Sequence, residues 1–209
     1  MSKKLSSREK ILKSACKLFS QKGFQQTTIR DICADSKSYQ ISVNYYFGSK
    51  ENLFKEAILK SYEYTGLANI EQIVEGYAPQ KQLYKILKTR IGLNFAQDEK
   101  SWFFNILSKE FNVNTELISS LVPQTFSRFM EVLKSVFRKI KPDAADFEIE
   151  YSCFLFSSQS FFLTINSFAR KKLFSSEIPP EEEIERLAKK MCDYLVKGLE
   201  KSDTELKYE

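Results

Sequence analysis

Apolar residues recur at three- and four-residue intervals along most of the chain, the spacing of helices that each bury one face. Ile11, Leu12, Ala15, Leu18 and Phe19 predict a first helix over 7–22. It opens on a Ser6–Glu9 capping pair and closes at Gly23 in a left-handed cap, with Phe24 folding back. Thr28 with Asp31 repeats the capping pattern before Ile29, Ile32 and Cys33. Ser36, Lys37 and Ser38 interrupt, and Ser38 is placed to cap a helix over about 39–46. Ser49 caps the next helix, which runs to about 64 with Leu53, Phe54, Ala57, Ile58 and Tyr62 on its apolar side. Beyond it the pattern predicts helices over 67–75, 80–97, 101–112, 115–140, 143–172 and 181–201. Gly76 and Pro79 separate the first two, Pro123 is expected to kink or restart the fourth, and Pro142 falls near the head of the fifth. Three glutamates, 181–183, open the last, where the helix dipole favours them.

Two short helices with a three- or four-residue joint fit a DNA-binding helix-turn-helix. The second carries Tyr39, Gln40, Ser42, Asn44, Tyr45 and Tyr46, whose polar tips suit base edges and phosphates. The same spacing fits a plain helical hairpin with an exposed polar helix. Charge narrows the choice. Residues 1–60 hold 12 Lys/Arg against 5 Asp/Glu and residues 61–209 hold 20 against 22, so the whole excess behind the net +5 lies in the first sixty residues. That is the footprint of a polyanion-binding head on a neutral body, with residues 1–6 as a mobile basic arm.

Residues 8–58 resemble the N-terminal domain of the TetR family of bacterial transcriptional regulators. The matching positions are Ile11, Leu12, Ala15, Leu18, Phe19, Gly23, Phe24, Thr27, Thr28, Ile32, Tyr45, Phe47, Ser49, Lys50, Glu51 and Leu53, and the run VNYYFGSKENL is the most specific part. The chain departs from the family at Lys37, where a joint glycine is usual, at Ser38 and at Ile41. A lysine there implies either a right-handed joint or some strain.

The resemblance implies an all-α protein. A three-helix helix-turn-helix DNA-binding domain over 1–50 precedes a helical ligand-binding and dimerisation domain over 51–209. On that reading the amide end of the second helix, at Thr27 and Thr28, meets phosphate. Tyr39, Gln40, Ile41 and Ser42 meet bases, with Gln40 suited to adenine and Ile41 to a thymine methyl. Asn44, Tyr45, Tyr46 and Lys50 follow the backbone, with Arg30 as a further contact.

The body offers two apolar sets. Phe95, Trp102, Phe103, Phe126, Phe129 and Phe154 are candidates for a pocket taking an apolar or aromatic effector, though each also suits ordinary core. Residues 151–168 carry no charge, yet eight of the eighteen are Ser, Thr, Asn or Gln, which argues for a helix buried at a subunit interface over a membrane span. Tyr151, Phe161 and Ile165, with Leu187, Met191 and Leu195 of the last helix, are the dimer candidates that the family implies.

No histidine occurs, and Cys16, Cys33, Cys153 and Cys192 form no C-x-x-C pair, so a metal site, a cofactor and an enzyme are not expected. Unpaired thiols, two of them on the apolar faces of the head, and the lack of a signal-peptide pattern suit the cytoplasm. The expected protein is a homodimeric regulator on a palindromic operator, most simply a repressor released by a small molecule. A regulator gated by a protein partner, and a helical interaction module without DNA binding, remain the alternatives.

Overall fold

The computed structural model describes residues 5–110, 113 and 115–201. Among these no strand occurs, and the helices follow in the order α1 Ser7–Gln26, α2 Ile29–Ser36, α3 Gln40–Phe47, α4 Lys50–Tyr64, α5 Ile70–Val74, α6 Pro79–Gly92, α7 Trp102–Glu110, α8 Thr115–Ile140, α9 Asp146–Ile165, α10 Ser167–Leu173 and α11 Glu181–Glu200. Of the basic arm expected over 1–6, residues 1–4 lie outside those described and Ser6 is instead the cap of α1; the end of the 101–112 helix also lies outside them.

The chain forms two compact units. The first gathers residues 1–68 and 96–125, the second residues 69–95 and 126–209. In the first unit α1 is the central element, and α2, α3, α4 and α7 all pack on it. Ile11, Ala15 and Phe19 are wholly buried, as are Ile32 of α2, Leu53, Phe54, Ala57 and Ile58 of α4, and Phe103 and Ile106 of α7. Phe54 anchors this core, with its ring edge-on to Phe19 at 4.8 Å and tilted on Phe24 at 4.9 Å. Burying a side chain of that size contributes about 1.5–3 kcal/mol.

In the second unit α6 packs against α5, α9 and α11. Leu83, Ile86, Leu87 and Ile91 of α6 are buried, and from α11 Ala188, Met191, Leu195 and Leu199 are buried too. Arg90 is buried beside them and donates to the Thr164 hydroxyl at 2.8 Å and the Ser160 carbonyl at 3.3 Å. Burial pulls its guanidinium down to about 9.

Several expectations need correction. The 143–172 helix is two, because Asn166 leaves helical geometry (φ −115°, ψ 92°) and its side chain accepts from the Ala169 amide to start α10. The 80–97 helix stops at Gly92, and Pro142 lies before α9, which Ala145 caps. Pro123 does not restart α8, which is helical on both sides of it. Gly23 takes a positive φ of 77° but an extended ψ of 175°, so α1 kinks there instead of closing in a left-handed cap. Among the described residues no helix is long and apolar enough to cross a membrane.

Candidate nucleic-acid interface

The head is assembled from caps outward. Ser6 and Glu9 exchange hydrogen bonds at the start of α1. Thr28 and Asp31 do the same for α2: the Asp31 amide donates to the Thr28 hydroxyl at 3.1 Å and the Thr28 amide to the Asp31 carboxylate at 3.2 Å. Those bonds from Thr28, with Lys22 nearby, hold Asp31 below the usual carboxylate range. At α4 the Asn52 amide donates to the Ser49 hydroxyl. Glu51 is likewise held low, by its own amide at the helix start and by Ser49.

Lys37 occupies the joint at φ 53°, ψ 46°. The chain is thus left-handed where glycine is the usual residue, and the strained alternative holds. The Lys37 amide donates to Ala34 and the Ser38 amide to Cys33 at 2.9 Å, closing α2 in a Schellman arrangement. Ser38 does not cap α3. Tyr39 holds the cap position without a side-chain bond, and the Ser38 hydroxyl turns back to the Ser36 carbonyl.

The tight joint sets α3 with one face in and the other out. Val43 and Phe47 are buried, four residues apart. Tyr39, Ile41 and Tyr45 are each 82% exposed, an unusual cost for three large apolar bodies on one short helix. Gln40 and Asn44 are exposed with them, Tyr46 is just exposed and Ser42 half-buried. Tyr45 and Tyr46 meet edge-on at 5.0 Å. Thr28 and Arg30 are exposed beside this face and Lys50 is half-exposed. Thr27 is not available: its side chain is fully buried and its hydroxyl donates to the Gly23 carbonyl at 2.7 Å.

Two cations stand against aromatic rings of the head. Arg8 lies 5.0 Å from the Phe47 ring centroid and Lys50 4.3 Å from that of Phe24. The acids nearby are engaged locally, Asp35 by Lys17 at 2.6 Å and Glu56 by Arg8. Lys37, exposed at the joint, was not anticipated as a contact, nor was Glu110 of α7, which accepts from the Phe24 amide. Spacing marked Lys37 only as a departure and gave no signal for Glu110.

The six aromatics expected to share a pocket are divided between the two units. Trp102 and Phe103 belong to α7 in the first unit, where they meet Tyr64 and Tyr62 at 5.8 and 5.1 Å. In the second unit Phe95 packs on Phe174, Phe129 lies between Phe126 and Phe156, and Phe154 is 63% exposed. Of the dimer candidates, Tyr151 and Ile165 are exposed and Phe161 and Leu187 half-buried. Met191 and Leu195 are buried, and Leu195 also lines a groove between α9 and α11. Cys33 is half-buried, not enclosed as expected.

The sequence model described as "Bacterial regulatory proteins, tetR family" matches residues 11–57. The chain is 25% identical over 138 residues to the "Probable HTH-type transcriptional regulator YttP" of Bacillus subtilis (strain 168), covering 66% of this chain and 64% of that one. It is 49% identical over 47 residues to the "HTH-type transcriptional repressor NicS" of Pseudomonas putida, covering 22% of each. The chain thus spans less than two thirds of the length of these curated relatives. The fold is similar to that of the fatty acid degradation regulator FadR from Bacillus halodurans, at TM-score 0.70 and 14% identity over 95% of this chain and 98% of the other. The profile match lies on the residues that build α1 to α4, so the head is similar to the helix-turn-helix domain of the tetR family of bacterial regulatory proteins.

Proposed function

We propose that this protein is a cytoplasmic, sequence-specific transcriptional regulator that binds a palindromic operator as a homodimer, with residues 1–50 reading DNA and residues 51–209 binding effector and partner subunit. The observation that carries the reading is α3, buried at Val43 and Phe47 and bare at Tyr39, Gln40, Ile41 and Tyr45. A helix fixed by one face and exposed along the other can enter a major groove without rearranging the head. The exposed amides of Gln40 and Asn44 supply hydrogen-bond groups, and Arg30, Lys37 and Lys50 supply charge for phosphates.

Dimerisation is supported by α9. Phe147, Tyr151 and Phe154 stack in sequence, at 6.1 and 6.4 Å, with exposures of 77, 51 and 63%. Phe162 and Ile165 extend the exposed face, and an apolar groove of about 750 Å³ runs beside it, bounded by Tyr194 and Gly198 of α11. A second copy would remove this surface from water. Repression and release by a small molecule are the simplest regulatory mode, in keeping with the repressor among the relatives.

Selection of bound duplex from a random pool tests the reading. A half-repeated sequence is expected, with Gln40→Ala relaxing the preference at one base pair and Lys50→Ala weakening binding to all sequences alike. Recovery of no preferred sequence by the full chain would leave the interaction-module alternative standing.

A further inference from the structure

The kink in α1 is held from outside the three-helix head. Gly23 breaks the helix with φ 77° and ψ 175°, which presents the Phe24 amide sideways, away from α1's own carbonyls. That amide donates to Oε1 of Glu110 at 2.6 Å. Glu110 ends α7 and is only 3% exposed, so its carboxylate is committed to the interior of the first unit. A Cβ on residue 23 would stand 2.8 Å from the same oxygen and would have to push the carboxylate off the amide, in addition to the strain at φ 77°.

The Phe24 ring continues the chain of contacts. One side packs on Phe54 at 4.9 Å, and the Lys50 ammonium stands 4.3 Å from its centroid. An ammonium held over a ring face keeps donors pointing outward, so it is poised for a phosphate oxygen without first losing the freedom of a long side chain.

We propose that Glu110 is a positioning residue for DNA binding: by holding the Phe24 turn it fixes the ring on which Lys50 rests, and so places the Lys50 ammonium for the DNA backbone. The inference rests on the operator-binding reading and makes α7 part of the DNA-reading unit.

The test uses the full chain and the selected operator, with Glu110→Ala, Glu110→Gln, Lys50→Ala, Phe24→Leu and the double variant Glu110→Ala/Lys50→Ala. In the free protein, the Phe24 ring current shifts the Lys50 side-chain methylene resonances. That shift is expected to collapse in Glu110→Ala and to survive in Glu110→Gln, whose amide oxygen still accepts from Phe24. On the operator, Glu110→Ala should weaken binding several-fold and flatten the salt dependence by about one unit of slope. In the Lys50→Ala background it should cost nothing further. Phe24→Leu, which keeps the amide bond and removes the ring, should flatten the slope equally, and it decides the matter if the alanine variant does not fold. An unchanged Lys50 shift in Glu110→Ala, fully additive losses, or an unaltered salt slope in Phe24→Leu overturns the proposal. Should the unaltered protein bind no DNA, the operator reading falls and the resonance shift alone judges the role of Glu110.

Discussion

At the scale of single residues, two kinds of side chain sit where ordinary preference would not put them. Lys37 is left-handed at the joint, a conformation that costs a β-carbon-bearing residue about 1–2 kcal/mol. Replacing it with glycine should raise stability by about 1 kcal/mol, read as a higher urea midpoint. A lower midpoint would mean that the lysine stem stabilises the joint by more than the strain costs. The thiols are the second kind. Burial pushes Cys16 and Cys153 up to about 12 and Cys192 up to about 11, from an ordinary 9.0. The folded state keeps these protons while the unfolded chain releases them above pH 9. The associated stability is therefore present below pH 9 and declines as pH rises from there toward 12. A urea midpoint that is level to about pH 8.5 and falls by about pH 10.5 is expected. Cys33, half-exposed and also raised by desolvation, should be the first thiol labelled in the native protein. Faster labelling of Cys16 would contradict its burial.

Several helices here begin where a side chain satisfies their first amides. Ser6, Thr28, Ser49 and Asn166 each accept from an amide of the helix they open. Thr28→Ala removes one half of a reciprocal pair on a helix of eight residues, and about 1 kcal/mol should go with it. The measurable result is a lower midpoint with faster exchange of the α2 amides. Three of these caps were legible beforehand, because a hydroxyl before a periodic run is a local signal. The Asn166 cap was not. Its neighbours are apolar at helical spacing on both sides, and nothing local shows that the backbone turns there. The same holds for α7. A stripe of Phe103, Ile106 and Leu107 says that a face is buried, and only packing shows that the face rests on α1 and α4.

For the molecule as a whole, the apolar face of α9 sets the strongest demand. Phe154→Lys places a charge in the middle of that exposed stripe, where it costs the monomer little beyond the stack on Tyr151. If a second copy covers the face, sedimentation should show the dimer lost at micromolar concentration, with operator binding reduced and the far-ultraviolet helical signal unchanged. A dimer that persists in this variant would move the interface elsewhere.

What the sequence determined alone depends on neighbours a few residues apart. The helical class, the capping boxes at Ser6 and Thr28, the inward pair Val43 and Phe47, and the family motif around Lys50 all belong there, since helix periodicity and end caps act within one or two turns. Tertiary structure decided what depends on residues far apart in the chain. It turned Met191 and Leu195 inward, placed Phe154 in the open, divided the six aromatics between two units, and brought Glu110 to the amide of Phe24 across 86 positions. An amphipathic stripe specifies that a surface will be covered, and the identity of the cover follows only when the chain has folded.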